Sequence, residues 1–280
     1  MTKPLARFVL HNDFDTATLS TDAETIEHLE PANLQRYGNS ARFRSEQTNE
    51  TRIIIDWDIK KPLTCCVLHR HNLTNHDDTW RVQMYADAER DILIKDTGFM
   101  RTIPRMLYQD LEYGVTPYGS SIFDKWPYVY STVWFDRITV RSAIITMRSP
   151  SNKQGYIDLT RVYMGRHFSP VHNFSWGRVA SYKNNVQNRR TAGGSLYGRR
   201  KPKYRHHRVS LDYIRDSEEN GLIEALRQTS VHDDIFISLY PEVGGETERN
   251  TSMVCKTITH PEFISTNNKF SSVTFDVEAV

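Results

Sequence analysis

Thr51-Arg52-Ile53-Ile54-Ile55-Asp56-Trp57-Asp58 is a β-branched and aromatic run of strand length, a composition suited to a pleated, half-buried surface. Leu63-Thr64-Cys65-Cys66-Val67-Leu68-His69 reads as a second strand, and Thr79 to Ala86 as a third, with apolar residues alternating at Trp80, Val82, Met84 and Ala86. The polar loop Asn72 to Asp78 lies between them. Strand signals resume at Ile138 to Met147 and at Tyr156 to Gly165, separated by the turn Arg148 to Gly155. This spacing is that of a β-sandwich or jelly roll, and the chain as a whole reads as all-β.

Upstream, residues 1–45 are polar and weakly patterned, and read as an arm or irregular lead-in. Thr21-Asp22-Ala23-Glu24 followed by Ile26 and Leu29 fits a short capped helix. Between the third and fourth strands, Asp96 to Tyr130 is loop-rich, with glycines and prolines among Tyr108, Tyr113, Tyr118, Phe123, Trp126 and Tyr128. The aromatic section from Tyr108 to Trp134 offers flat faces for sugar rings, with Tyr113, Tyr118, Trp126 and Tyr128 as candidates. Aromatics in such company also wedge long loops against a sandwich.

The order Thr51 to Asp58, the Cys65 strand, Trp80-Arg-Val-Gln-Met-Tyr85, Arg141-Ser-Ala-Ile-Ile-Thr-Met147 and Tyr156-Ile-Asp-Leu-Thr-Arg-Val-Tyr-Met-Gly165 resembles a galactose-binding-like (discoidin-type) jelly roll over residues 45–166. The resemblance implies a module spanning 46–168. It places no sugar or calcium site residue by residue.

From Leu159 to Leu211 no Asp or Glu occurs, while twelve Lys or Arg do. The chain carries +2 and this stretch +12, so the remainder carries −10. Segregated charge of this kind implies an anionic partner: nucleic acid, an acidic polymer, or the acidic surface of a neighbouring subunit. Tyr182, Tyr197 and Tyr204 sit among the cations as they would in a nucleic-acid binder, but no nucleic-acid motif accompanies them. The −10 remainder instead complements the band between copies of one chain. Arg189, Arg190, Arg199, Arg200, Arg205 and Arg208 are the assembly candidates, and a merely solvated face is the bland alternative.

The second half, residues 169–280, has its own order. Arg189 to Tyr197 is a glycine turn entering a strand, Tyr204 to Leu211 a strand, and Asp216 the cap of a helix over Ser217 to Gln228 that buries Leu222, Ile223 and Leu226. Ile235 to Pro241, Ser252 to Cys255 and Val273 to Val277 follow as strands. The order of Gly193-Gly-Ser-Leu-Tyr197, the arginine-rich strand, the helix, Asp233-Asp-Ile-Phe-Ile-Ser-Leu-Tyr-Pro-Glu242 and a last strand resembles distal tail (tail-tip) structural proteins of long-tailed bacteriophages over residues 170–280. That resemblance implies a virion structural subunit forming a ring, a hexamer in the family, with the second β-sandwich touching the tail tube and the tip or hub proteins. The jelly roll would project outward toward host surface glycans, and DNA would be a passing contact in the lumen. It also implies synthesis in a bacterial host cytoplasm. A carbohydrate-binding adhesin is the alternative reading, and a non-specific nucleic-acid binder the third.

No run of about 18 apolar residues occurs and no apolar leader follows Met1, so neither membrane insertion nor secretion is expected. Cys65, Cys66 and Cys255 form no metal pair or disulfide framework, and neighbouring strand positions predict one of the adjacent pair in the core and the other exposed. His69-Arg70-His71 has a spacing used by metal-binding jelly rolls, but lacks a partner pattern and reads as an exposed strand end. No nucleophile elbow or triad is visible, so a non-enzyme without metal or cofactor is expected.

Overall fold

The computed structural model describes residues 4–103, 113–115, 129–199, 201–267 and 269–280. The chain divides into two compact units, Met1–Phe8 with Phe168–Tyr240 and Ser252–Val280, and Val9–His167 with Pro241–Thr251. Their strands, in chain order, are Arg7–Val9 (β1), Thr18–Thr21 (β2), Phe43–Ser45 (β3), Thr51–His71 (β4), Thr79–Tyr85 (β5), Leu93–Asp96 (β6), Met100–Arg101 (β7), Tyr130–Arg148 (β8), Ile157–Gly165 (β9), Val179–Asn184 (β10), Asn188–Arg190 (β11), Leu196–Gly198 (β12), Lys203–Arg215 (β13), Ile235–Ser238 (β14), Ser252–Thr257 (β15), Phe263–Asn267 (β16) and Phe270–Ala279 (β17). Helices α1 (Asp216–Arg227) and α2 (Gly245–Thr251) complete the regular structure. The protein is all-β in class, as its strand pattern requires.

One unit carries an eight-stranded sheet organised on β4 and β8, which pair antiparallel for nearly their whole length. The two runs at 51–58 and 63–69 are one bent strand, not two. Register shifts between Asp56 and Lys61 and between Leu63 and Cys65 mark the bend. Beyond these bulges the side-chain phase changes, so Ile53, Ile55 and Trp57 face the core before the bend and Cys66 and Leu68 after it. Early β4 pairs with β2, and late β8 with β5, which carries β6 and β7; late β4 pairs with β9, which carries β3. Folding over on its two long strands, the sheet closes a sandwich core in which Trp57, Trp80, Phe14, Phe43, Leu159 and Met164 are buried.

Residues 9–45 are built into this fold instead of hanging from it. Trp57 Nε1 donates to Asp13 O at 2.8 Å, and Asn12 bridges to Val162 O and Met164 N. The helix expected near Thr21 is absent; β2 ends there, with the Thr21 hydroxyl donating to Arg52 O at 2.6 Å. Short 3₁₀ turns form at Asp13–Thr16 and Pro31–Gln35.

The other unit carries a seven-stranded sheet in the order β1-β14-β15-β17-β13-β10, with β16 also on β17 and the pairs from β14 onward antiparallel. On one face, Val209 lies opposite Phe275 and Leu211 opposite Val273, and Phe8 stacks on Phe275 at 5.0 Å. Helix α1 starts one residue earlier than its sequence predicts: Arg215 is the cap, and its N–H donates to Glu218. Of its three expected core residues, Leu222 is buried, Leu226 partly so, and Ile223 is exposed.

Candidate functional site

In the sandwich unit, a cavity of about 300 Å³ opens where β8 begins. Tyr130 to Trp134 of β8 form one wall, Met100 to Thr102 another, and Trp80 of β5 lies at its base. The remaining wall comes from Glu242, Gly244, Gly245, Glu248 and Arg249, which precede and enter α2. That wall needs a turn few residues allow. Glu242, Gly244 and Gly245 have φ of 62°, 75° and 64°, so the two glycines supply left-handed backbone that a Cβ would penalise. Glu248 then closes the turn by accepting the Gly244 N–H at 2.8 Å.

Trp134 is half-buried and meets His167 edge-on, ring centroids 5.4 Å apart at 87°. His167 is held in turn, its Nδ1 2.7 Å from Thr64 Oγ1 and its backbone N–H donating to the same oxygen at 2.9 Å. Tyr130 OH donates to Glu248 O at 3.4 Å. The cavity therefore combines a braced indole and a phenol with two carboxylates, the buried Arg249 and the exposed Arg101. Its volume is at the small end of ligand pockets, roughly 300–1,000 Å³. Such a lining suits a small polyhydroxylated ring, with C–H faces on the aromatics and hydroxyls on the charged groups.

Ser131, also on the cavity wall, brings a hydroxyl 2.9 Å from His71 Nε2. The pair has the separation of a nucleophile and its base but the wrong proton order. Leu73 N donates to His71 Nδ1 at 3.3 Å, so the ring proton sits on Nε2, and Ser131 Oγ donates to Thr102 O at 2.8 Å. A histidine base toward serine needs the opposite tautomer. Burial pushes the His71 imidazole down to about 3, which keeps it neutral.

The expected exposed strand end at His69-Arg70-His71 is thus incorrect: the histidines are 6% and 5% exposed, and His71 is committed to structural hydrogen bonds. Arg70, at φ 53°, marks a local departure from extended strand between them. Cys65 and Cys66 are likewise both buried, not divided between core and solvent, because both faces of late β4 are covered. Burial pushes the Cys66 and Cys255 thiols up.

Of the four aromatic candidates, Tyr113 is fully exposed and does not line the cavity. Tyr118, Trp126 and Tyr128 lie outside the described residues, as does Arg200 of the basic set. Tyr130 and Trp134, at the end of the same aromatic section, do line it. Glu248 and Arg249 were not legible as site residues, their only local signal being the Gly244-Gly245 pair.

The basic stretch is not one surface. Arg161 is 3% exposed, donates to Leu34 O and Asp15 Oδ2, and stacks over Tyr37 at 4.8 Å. Arg205 is also buried, and Lys183 pairs with Glu278 at 2.9 Å. Arg189, Arg190, Arg199 and Arg208 are exposed. The first two lie on the β11–β12 hairpin, which forms a separate two-stranded sheet.

No family model matches the sequence. No curated protein matches it. Among solved structures, the chain is similar to chitosan-binding module 1 of a chitosanase/glucanase from Paenibacillus sp. IK-5, at 10% identity and a TM-score of 0.40 over 56% of this chain and 99% of that one. It is also similar to the fucose binding module SpX-3 of Streptococcus pneumoniae, at 12% identity and 0.38 over 56% and 98%. A third is CpGH89CBM32-5 from Clostridium perfringens, in complex with GalNAc-beta-1,3-galactose, at 6% and 0.37 over 54% and 96%. The strand pairing above, independent of these likenesses, carries the fold.

Proposed function

We propose that the protein binds carbohydrate without acting on it, taking a single sugar ring into the cavity between Trp134, Tyr130 and the α2 turn. The supporting observation is the braced Trp134 indole set beside carboxylate and guanidinium groups in one concave wall. Aromatic faces supply apolar contact with sugar C–H bonds, while the charged groups fix orientation through hydroxyl hydrogen bonds. The reversed Ser131–His71 proton order favours binding over acyl transfer. The test is retention on immobilised neutral glycans, followed by titration of the best ligand into wild type and Trp134→Ala. Binding lost in the variant with melting unchanged supports the reading. Retention of no glycan, or equal binding by both proteins, refutes it.

A second reading, the tail-tip ring subunit, is favoured by the β11–β12 hairpin. Every described residue from 187 to 203 is exposed, and Leu196 and Tyr197 are 61% and 70% exposed beside Arg189 and Arg190. An exposed arm that carries positive charge suits the acidic surface of another copy. Light scattering and negative-stain imaging should then give rings near tail-tube diameter, lost when residues 188–198 are replaced by two glycines. Absence of the protein from purified virions would sink this reading.

A further inference from the structure

A second cavity, of about 400 Å³, lies in the seven-stranded unit and is lined by Asn173-Phe174-Ser175-Trp176-Gly177-Arg178 and Tyr240. The segment is tied down from behind. Asn173 Oδ1 accepts from Ala6 N and Phe174 N at 3.1 and 3.0 Å, its Nδ2 donates to Pro4 O at 3.1 Å, and Ser175 N donates to Ser210 O at 2.9 Å. Gly177, at φ 97°, turns the chain between Trp176 and Arg178. Phe174 meets Tyr240 edge-on at 5.5 Å and closes the apolar side.

Three features of this rigid segment point to a ligand. Trp176 is 103% exposed, an entire indole held out in water on an anchored backbone. Arg178 Nη1 and Ser175 Oγ are both shielded from solvent, yet neither has a hydrogen-bond partner among the described residues. Buried polar atoms left this way cost roughly 1–3 kcal/mol each, which favours rotation of these side chains toward a cavity ligand that completes them. Among the described residues no acidic side chain lines the cavity, and the one charge there is the Arg178 guanidinium.

We propose that this cavity is a binding site for a carboxylated sugar ring, a hexuronate residue of an acidic glycan. The carboxylate pairs with Arg178, whose planar fork matches it. The pyranose ring lies against the Trp176 indole, and Ser175 Oγ, rotated toward the cavity, takes a ring hydroxyl. A neutral sugar leaves the guanidinium unanswered, so the site selects acidic over neutral rings. It lies in a different unit from the Trp134 cavity and does not depend on it.

The test is calorimetric titration of digalacturonic acid and of a neutral galactose disaccharide into wild type, Trp176→Ala, Arg178→Gln and Trp134→Ala. The acidic disaccharide should bind wild type and Trp134→Ala alike, and bind about tenfold or more weakly to Trp176→Ala, which loses the stacking face, and to Arg178→Gln, which loses the charge-assisted contact. Trp176 is fully exposed, so its alanine variant should keep the wild-type melting temperature and serves if Arg178→Gln does not fold. Failure of the acidic disaccharide to bind wild type, equal binding by Trp176→Ala and wild type, or undiminished affinity of the neutral disaccharide in the Trp176-dependent mode overturns the proposal. Loss of neutral-glycan binding in Trp134→Ala bears only on the first cavity, which keeps the two outcomes apart.

Discussion

Mild acid should weaken the sandwich unit through His71. This imidazole is 5% exposed, accepts from Leu73 N at Nδ1 and meets Ser131 Oγ at Nε2, so a second proton would place two donors face to face. Burial holds its folded-state value at about 3, below the 6.5 of the unfolded chain. Between those values the unfolded chain binds the additional proton and the folded one does not, so stability falls as pH falls from about 6.5 toward 3. At pH 5, 1.5 units below the unfolded value, the cost is about 2 kcal/mol, at roughly 1.36 kcal/mol per unit. Urea unfolding of wild type and His71→Gln at pH 7.5 and 5.0, followed by hydrogen exchange of the β4 amides, isolates this contribution. Glutamine keeps a donor toward Ser131 and does not titrate. Wild type should lose about 2 kcal/mol more than the variant between the two pH values. Equal losses, or an NMR titration of His71 in the folded protein near 6.5, would refute the reasoning.

Arg161→Met should destabilise the same unit by about 3 kcal/mol, the low end for breaking a buried ion pair because Asp15 is a quarter exposed; an effect below 1 kcal/mol by denaturant titration would contradict the internal role given to this cation. All three thiols are fully buried and two are pushed up by burial, so a disulfide-exchange reagent should leave Cys65, Cys66 and Cys255 unmodified in native protein and label all three after denaturation. Trp57→Phe removes the bond to Asp13 O and should cost about 1–2 kcal/mol, detectable as a lower midpoint with an unchanged slope.

Much of the sheet was legible because strand propensity and alternation act locally. The alternation at Trp80, Val82 and Met84 marks positions that the fold buries, while Ala86, next in the same alternation, is half-buried past the end of the strand. What alternation alone missed was phase: the bulges in β4 merge two runs into one bent strand and shift which residues face inward. Tyr130 and Trp134, within the aromatic section the sequence offered for sugar rings, line the cavity, but Glu248 and Arg249 come from more than a hundred residues away. Nothing local to α2 announces that meeting.

Local chemistry therefore determined the all-β class, most strand positions, the glycine turn of the β11–β12 hairpin and the excess of cations between Leu159 and Leu211. Tertiary structure alone decided what those cations are for. Arg161 and Arg205 are drawn into interiors, Lys183 is paired, Arg189 and Arg190 stand on an exposed hairpin, and Arg178 is left with an unsatisfied nitrogen beside an exposed indole. The reason is physical: charge is a property of composition, but desolvation and pairing depend on which distant atoms the fold brings within a few ångströms.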